Sequence, residues 1–287
     1  MLAPSPPRRN AGGKIALWAG VLAVAGIYLF ATRPAPLADG ENSGRTVPIE
    51  KVFRILAAEN GAVRALWTAD IVAAGTRSGL KFHEKWRDDD VAAGPLPALF
   101  LREAAAAVQK TRVPLGLFLG SDHPIAQSNL FSGVQAEHFK RVRASGKPEF
   151  FHAPDIGRHT AMFPDVAVAP GCVSCHNEHP RSPKTDWKLN DIMGATTWCY
   201  PKDKVSLEEL LEIVGALRAG FAAGYDAYLA KTKTFDRPPE VGERWPREGY
   251  YVPAREVFLR EFERRASGNT VDRLLHAFDR DASAPGH

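Results

Sequence analysis

Cys172-Val173-Ser174-Cys175-His176 is the short segment of this chain whose residue types and spacing carry the most specific chemistry. Two thiols spaced this way can each add to one vinyl group of a haem, and the histidine that follows can bind the iron from one face. C-x-x-C-H is the attachment pattern of c-type haem. The chain has 3 cysteines in 287 residues, and two of them are used here. Two other chemistries compete. Cys172, Cys175, His176 and His179 could ligate zinc, although four ligands so close in sequence crowd one tetrahedral ion. A C-x-x-C pair can also cycle as a redox dithiol, but the following histidine and the lack of a thioredoxin-like βαβ pattern argue against it.

The elements that must position this motif are legible in outline. A helix is expected from Pro48 to Ala74, where Val52, Ile55, Leu56, Val63, Leu66, Ile71 and Val72 keep close to a 3.6 period, with a kink at Gly61. Asp88-Asp89-Asp90 reads as a solvated loop. A second helix should run from Pro97 to Lys110, followed by a buried strand over Val113 to Leu119. A short helix around 132–144, and strands over Glu149 to His152, Thr160 to Val168 and Ile192 to Tyr200, complete the middle of the chain. Ser206 with Glu209 three positions on forms a capping box, opening a helix that continues to Lys231. Two short helices, near 254–266 and 270–279, are expected in the tail. This order gives an α+β fold: a small antiparallel sheet with flanking N- and C-terminal helices.

Composition is that of an ordinary folded protein, 45% hydrophobic and 24% charged, with a net charge of +4. The basic residues form no long run, so nucleic acid is not an expected partner. Residues 15–32 carry no charge. As a helix they would span about 27 Å, just enough for a hydrocarbon core of about 30 Å. Arg8, Arg9 and Lys14 precede them, which orients the N-terminus inward. A cleaved signal peptide competes with an anchor, but the run is long for one and lacks a clean A-x-A site. The expected organisation is a cytoplasmic N-terminus at 1–14, one transmembrane anchor at 15–32, a linker at 33–47, a haem c domain at 48–234 and a C-terminal extension at 235–287. The expected location is the bacterial inner membrane, single pass, with the haem domain in the periplasm.

The run CVSCHNEHPRSPKTDWKLNDIMGATTW, with PLGLFLGSDHPIAQSN and HTAMFPDVAVAPG before it, resembles a bacterial single-haem c-type cytochrome domain of PAS-like fold. That domain occurs alone and as the periplasmic input domain of adenylate cyclases and histidine kinases. The resemblance covers roughly residues 50–232. It implies a PAS-like sheet, one covalent haem c on Cys172 and Cys175, and His176 as the proximal iron ligand. The other ring nitrogen of His176 would then donate to a carbonyl or carboxylate. In a described member of that family the sixth ligand is a cysteine from the helix before the first strand. The matching region here, LPALFLREAAAAV, has no cysteine, and Phe100 stands near that place. His159 is the leading remaining candidate for the distal position, with His123, Met162, Cys199 or an open site as the others. Lys184, Lys188, Arg181 and Arg158 could pair with haem propionates.

Three roles follow. The domain could be a redox or gas sensing input acting with a signalling partner, or an electron-transfer cytochrome working with a redox partner or within a larger membrane complex. Peroxidase chemistry at an open iron is the third, but no acid–base constellation supports it, so an enzyme is not the expected reading. A homodimer is compatible with either of the first two.

Overall fold

The computed structural model describes residues 46–246 and 252–279. β1 (Thr46–Pro48) pairs antiparallel with β8 (Lys204–Ser206), so Val47, expected at the end of a linker, is already buried. α1 (Ile49–Ala65) follows Pro48, and it passes through Gly61 without a break. The departure from α geometry comes later: Leu66–Ala73 is π-helical, and α2 (Ala74–Arg77) ends the rod. Leu66 and Ile71, five residues apart, are both fully buried, a spacing that i→i+5 hydrogen bonding stacks on one face. Trp67 in the same segment lies flat on Phe100, with ring centroids 4.2 Å apart.

β2 (Phe82–His83) and β3 (Gly94–Pro95) form a short parallel pair, with the acidic run Asp88-Asp89-Asp90 exposed between them. α3 (Pro97–Val108) then packs against α6 (Leu207–Thr232). This pair approaches closely because α6 presents glycines. A Cβ on Gly220 would lie 2.7 Å from Val108 Cγ2 and 2.9 Å from the Ala104 carbonyl oxygen. α6 begins as the capping box requires, with Ser206 Oγ accepting from the Glu209 amide at 3.1 Å.

The main sheet is four-stranded and antiparallel, in the order β4–β7–β6–β5: β4 (Gly116–Gly120), β5 (Glu149–Ala153), β6 (Arg158–Val166) and β7 (Ile192–Tyr200). Alternation gives it two apolar faces. Leu117, Ala161, Trp198 and Tyr200 enter the core shared with the helices. Phe131, Phe139, Val142, Met162 and Ala195 form a second cluster under α4 (Gly133–Ser145). Between β6 and β7 lies α5 (Pro170–Glu178).

The tail was expected to hold two short helices. After β9 (Val241–Gly242) and β10 (Val252–Pro253), it forms one helix instead, α7 (Arg255–Asp279). The reason is a continuous buried stripe. Phe258, Phe262, Ala266 and Thr270 recur at every fourth position and cross Gly268 without interruption. Thr270 donates to Glu59, whose carboxylate is 0% exposed and also takes two hydrogen bonds from Arg218, at 2.9 and 2.7 Å.

The mixed architecture of helices and small sheets agrees with the α+β expectation. No helix among the described residues is long and apolar enough to cross a membrane, which goes against the single-pass anchor and the inner-membrane placement built on it. The segment 15–32 itself lies outside the described residues.

Two substitutions test this packing by urea denaturation. Arg218→Ala leaves a buried carboxylate short of its main partner and should cost about 3–5 kcal/mol. Gly220→Ala forces α3 from α6 and should cost about 1–3 kcal/mol.

Candidate functional site

α5 is a short helix with Pro170 in its first turn, where the missing amide proton costs nothing. Cys172 and Cys175 are three residues apart and so share a face, with Cβ atoms about 5–6 Å from each other. Neither is in a disulfide, and Cys199 is also free. Partial desolvation, with the negative charge of Glu84 behind it, pushes the Cys175 thiol above its usual range, so the sulfur keeps its proton.

His176 follows on the same turn. Desolvation, and then the positive field of His179, hold its imidazole below the usual range, so it is neutral near pH 7. Its Nδ1 is buried without a hydrogen-bond partner. The acceptor that a ligating histidine normally finds is thus not supplied by the described residues.

The surroundings fix α5 in place. The Asn177 side chain bonds both main-chain groups of Trp187, accepting from its amide at 2.8 Å and donating to its carbonyl at 3.0 Å. Trp187 is buried, carries the Lys184 ammonium 4.8 Å from its ring centre, and stands edge-on to His123 at 6.1 Å. Its indole nitrogen is a second buried polar atom without a partner, and Asp122 Oδ1 beside His123 is a third. A cleft of about 380 Å³ opens here, lined by Arg143, Lys184, Trp187, Asn190, Asp191 and Ile192. On the opposite flank His179 pairs with Glu84 at 3.1 Å, and Arg181 joins the same carboxylate at 3.1 Å. Glu84 resists desolvation because these two partners hold its carboxyl below the usual range.

α1 reaches this region through Arg64. Its guanidinium pairs with Asp165 near the end of β6 and donates to Thr196 at 3.3 Å. Thr196 in turn donates to Asp165 at 3.0 Å. The Asp165 charge raises the already high Arg64 pKa, and the field of Cys172 adds to it.

Of the residues expected from sequence, Cys172, Cys175 and His176 are brought together. His159 is not brought to them. It stands seven residues, or about 23 Å of strand, before Val166, and it faces His152 and Tyr200. Met162 is sealed in the α4 cluster, and Cys199 packs against Gly116. Phe100 is a core residue stacked on Trp67. Arg158 bonds the Pro114 carbonyl at 2.6 Å, toward the same remote end of the sheet as His159. His123 is linked to the motif indirectly, standing edge-on to Trp187, whose main chain is bonded by Asn177 of α5. The zinc alternative finds no support: among the described residues no group of three or more His, Cys, Asp or Glu could hold a metal ion, and His179 is engaged by Glu84. Sequence reasoning missed Asn177 and Glu84, whose roles depend on partners distant in the chain.

These features suit a covalent porphyrin. There are two free thiols on one helical face, a neutral imidazole beside them, two basic groups in the adjoining cleft, Arg143 paired with Asp122 and Lys184 with Asp186, and two exposed apolar side chains. Val168 is 73% exposed and Leu189 51%. The main-chain bonds of Ala167 to Asp191 at 2.9 Å and of Asn190 to Ala167 at 3.0 Å tie their two segments together just before α5.

Asn177→Ala removes two main-chain anchors and should raise the hydrogen-exchange rate at the Trp187 amide at least tenfold, while α6 amides stay protected.

No curated protein and no solved structure matches the chain. The family model described as Tll0287-like, Tll0287, matches residues 50–201, from α1 to the end of β7, with α5 inside it. That match covers more than half of the 287 residues, and the chain belongs to the Tll0287-like family.

Proposed function

We propose that this chain is a single-haem c-type cytochrome, with Cys172 and Cys175 holding the haem covalently and His176 as its proximal axial ligand. The observation that carries the reading is the geometry of α5: two free thiols share one face, and a neutral, desolvated imidazole follows them. In attachment each thiol adds across one vinyl double bond. Its sulfur bonds to one carbon and its proton goes to the other, which leaves two thioethers. The group would supply a redox-active iron with a tunable sixth position. The chain's own part is to keep His176 neutral, to offer Arg143 and Lys184 to the propionates, and to cover a porphyrin edge with Trp187, Val168 and Leu189. His123 is the residue best placed among the distal candidates, because it is packed on Trp187.

The physiological role favoured by this arrangement is sensing through a PAS-like domain that acts on a partner protein. Arg64 supports it. One side chain on the long N-terminal helix contacts Asp165, near the end of β6 that leads into the α5 region, and Thr196 in the middle of β7. A change of charge at the site would alter the field at Arg64 and bias α1. Electron transfer is the second reading, favoured by the exposure of Val168 and Leu189, which leaves the site close to the surface.

Co-expression with a cytochrome c maturation system, followed by intact-mass measurement, tests the attachment. The parent should gain the mass of one haem. Cys172→Ser and Cys175→Ser should each lose one thioether, and the double variant should carry none. His176→Ala should change the coordination seen in the absorption and electron-paramagnetic spectra. No added mass on the parent overturns the reading. Hydrogen exchange of oxidised and reduced protein separates the roles: altered protection in α1 supports sensing, and unchanged protection with rapid electron exchange supports a carrier.

A further inference from the structure

At the end of the sheet remote from α5, His152 on β5 stands directly opposite His159 on β6. Their ring centroids are 5.1 Å apart and the planes are inclined by 68°. Two imidazoles that share one tetrahedral ion, each with a metal–nitrogen bond of about 2.0–2.1 Å, hold their ring centres about 5 Å apart. The observed separation already meets that requirement without rearrangement of the backbone.

Three further facts bear on the pair. β5 is an edge strand and His152 is exposed, so solutes reach the rings from solvent. The antiparallel ladder fixes both Cβ atoms, so little freedom is left to lose when an ion binds. The nearby polar groups are committed elsewhere: the Tyr200 hydroxyl donates to Glu209, and Arg158 turns to the Pro114 carbonyl.

We propose that His152 and His159 form a two-imidazole site for a borderline divalent cation of the Cu²⁺, Ni²⁺ or Zn²⁺ class. Imidazole nitrogen suits these ions and not Mg²⁺ or Ca²⁺, which require oxygen ligands. Among the described residues no third His, Cys, Asp or Glu completes the set, so water fills the remaining positions and the ion exchanges freely. The site is independent of the haem reading, which uses the other end of the sheet.

Isothermal titration of Ni²⁺ into the untagged full chain, with free thiols blocked, tests it. One saturable site is expected. His152→Ala and His159→Ala should each weaken it at least tenfold, His83→Ala should leave it unchanged, and Mg²⁺ should give no signal. Circular dichroism checks the fold of each variant, and His152→Gln or His159→Gln replaces any that is misfolded. The absence of a saturable site in the parent, or its survival in either variant, overturns the proposal.

Discussion

The Glu59 carboxylate is fully buried, and a buried charge must be answered locally. Three helices are arranged to do so: α1 carries it, α6 brings the Arg218 fork to both of its oxygens, and α7 adds the Thr270 hydroxyl. A second link repeats the theme, with Arg265 of α7 bonding Asp70 in the π-helical segment at 2.7 Å. The family match ends at residue 201, so α6 and α7 lie beyond it. They nonetheless complete the core on which the matched sheet rests, since Tyr225 of α6 stacks on Phe258 of α7 at 3.9 Å.

With the helices fixed in this way, α1 reaches the sheet through Arg64, Asp165 and Thr196. Asp165 sits where β6 runs toward α5, and Thr196 is in the middle of β7, the strand that follows the loop carrying Trp187. α5 has no buried residue of its own. It is held by polar contacts instead, with Asn177 on one side and the Glu84–His179 pair on the other. A short helix attached in this manner leaves the Cys175 thiol exposed and the Cys172 thiol half-exposed. A helix seated by apolar burial would hide them.

Secondary structure was largely legible in the sequence because most elements obey local rules. The strand over Ile192 to Tyr200 and the Ser206 capping box appear as the residue pattern dictates. The failures share one cause. Two short helices were expected near 254–266 and 270–279, yet the stripe from Phe258 to Thr270 is buried against distant helices and carries α7 across the gap between them. Gly61 looked like a kink, while the irregularity arises at Leu66–Ala73, where Trp67 must seat on Phe100. Propensity is a weak prior, and tertiary packing overrode it at both places.

The sequence by itself determined which side chains stand together on α5. Cys172, Cys175 and His176 are neighbours in the chain, and three to four residues of helix are enough to bring them together. Which other residues join them was decided only by the tertiary structure, because strand direction separates residues that look close in sequence. His159 precedes the motif by few residues but lies a strand's length away, beside His152. His123 is far away in sequence and is brought to Trp187 by the loop after β4. Local spacing fixes what a single turn of helix can hold, and the register of the sheet fixes what can stand across from it.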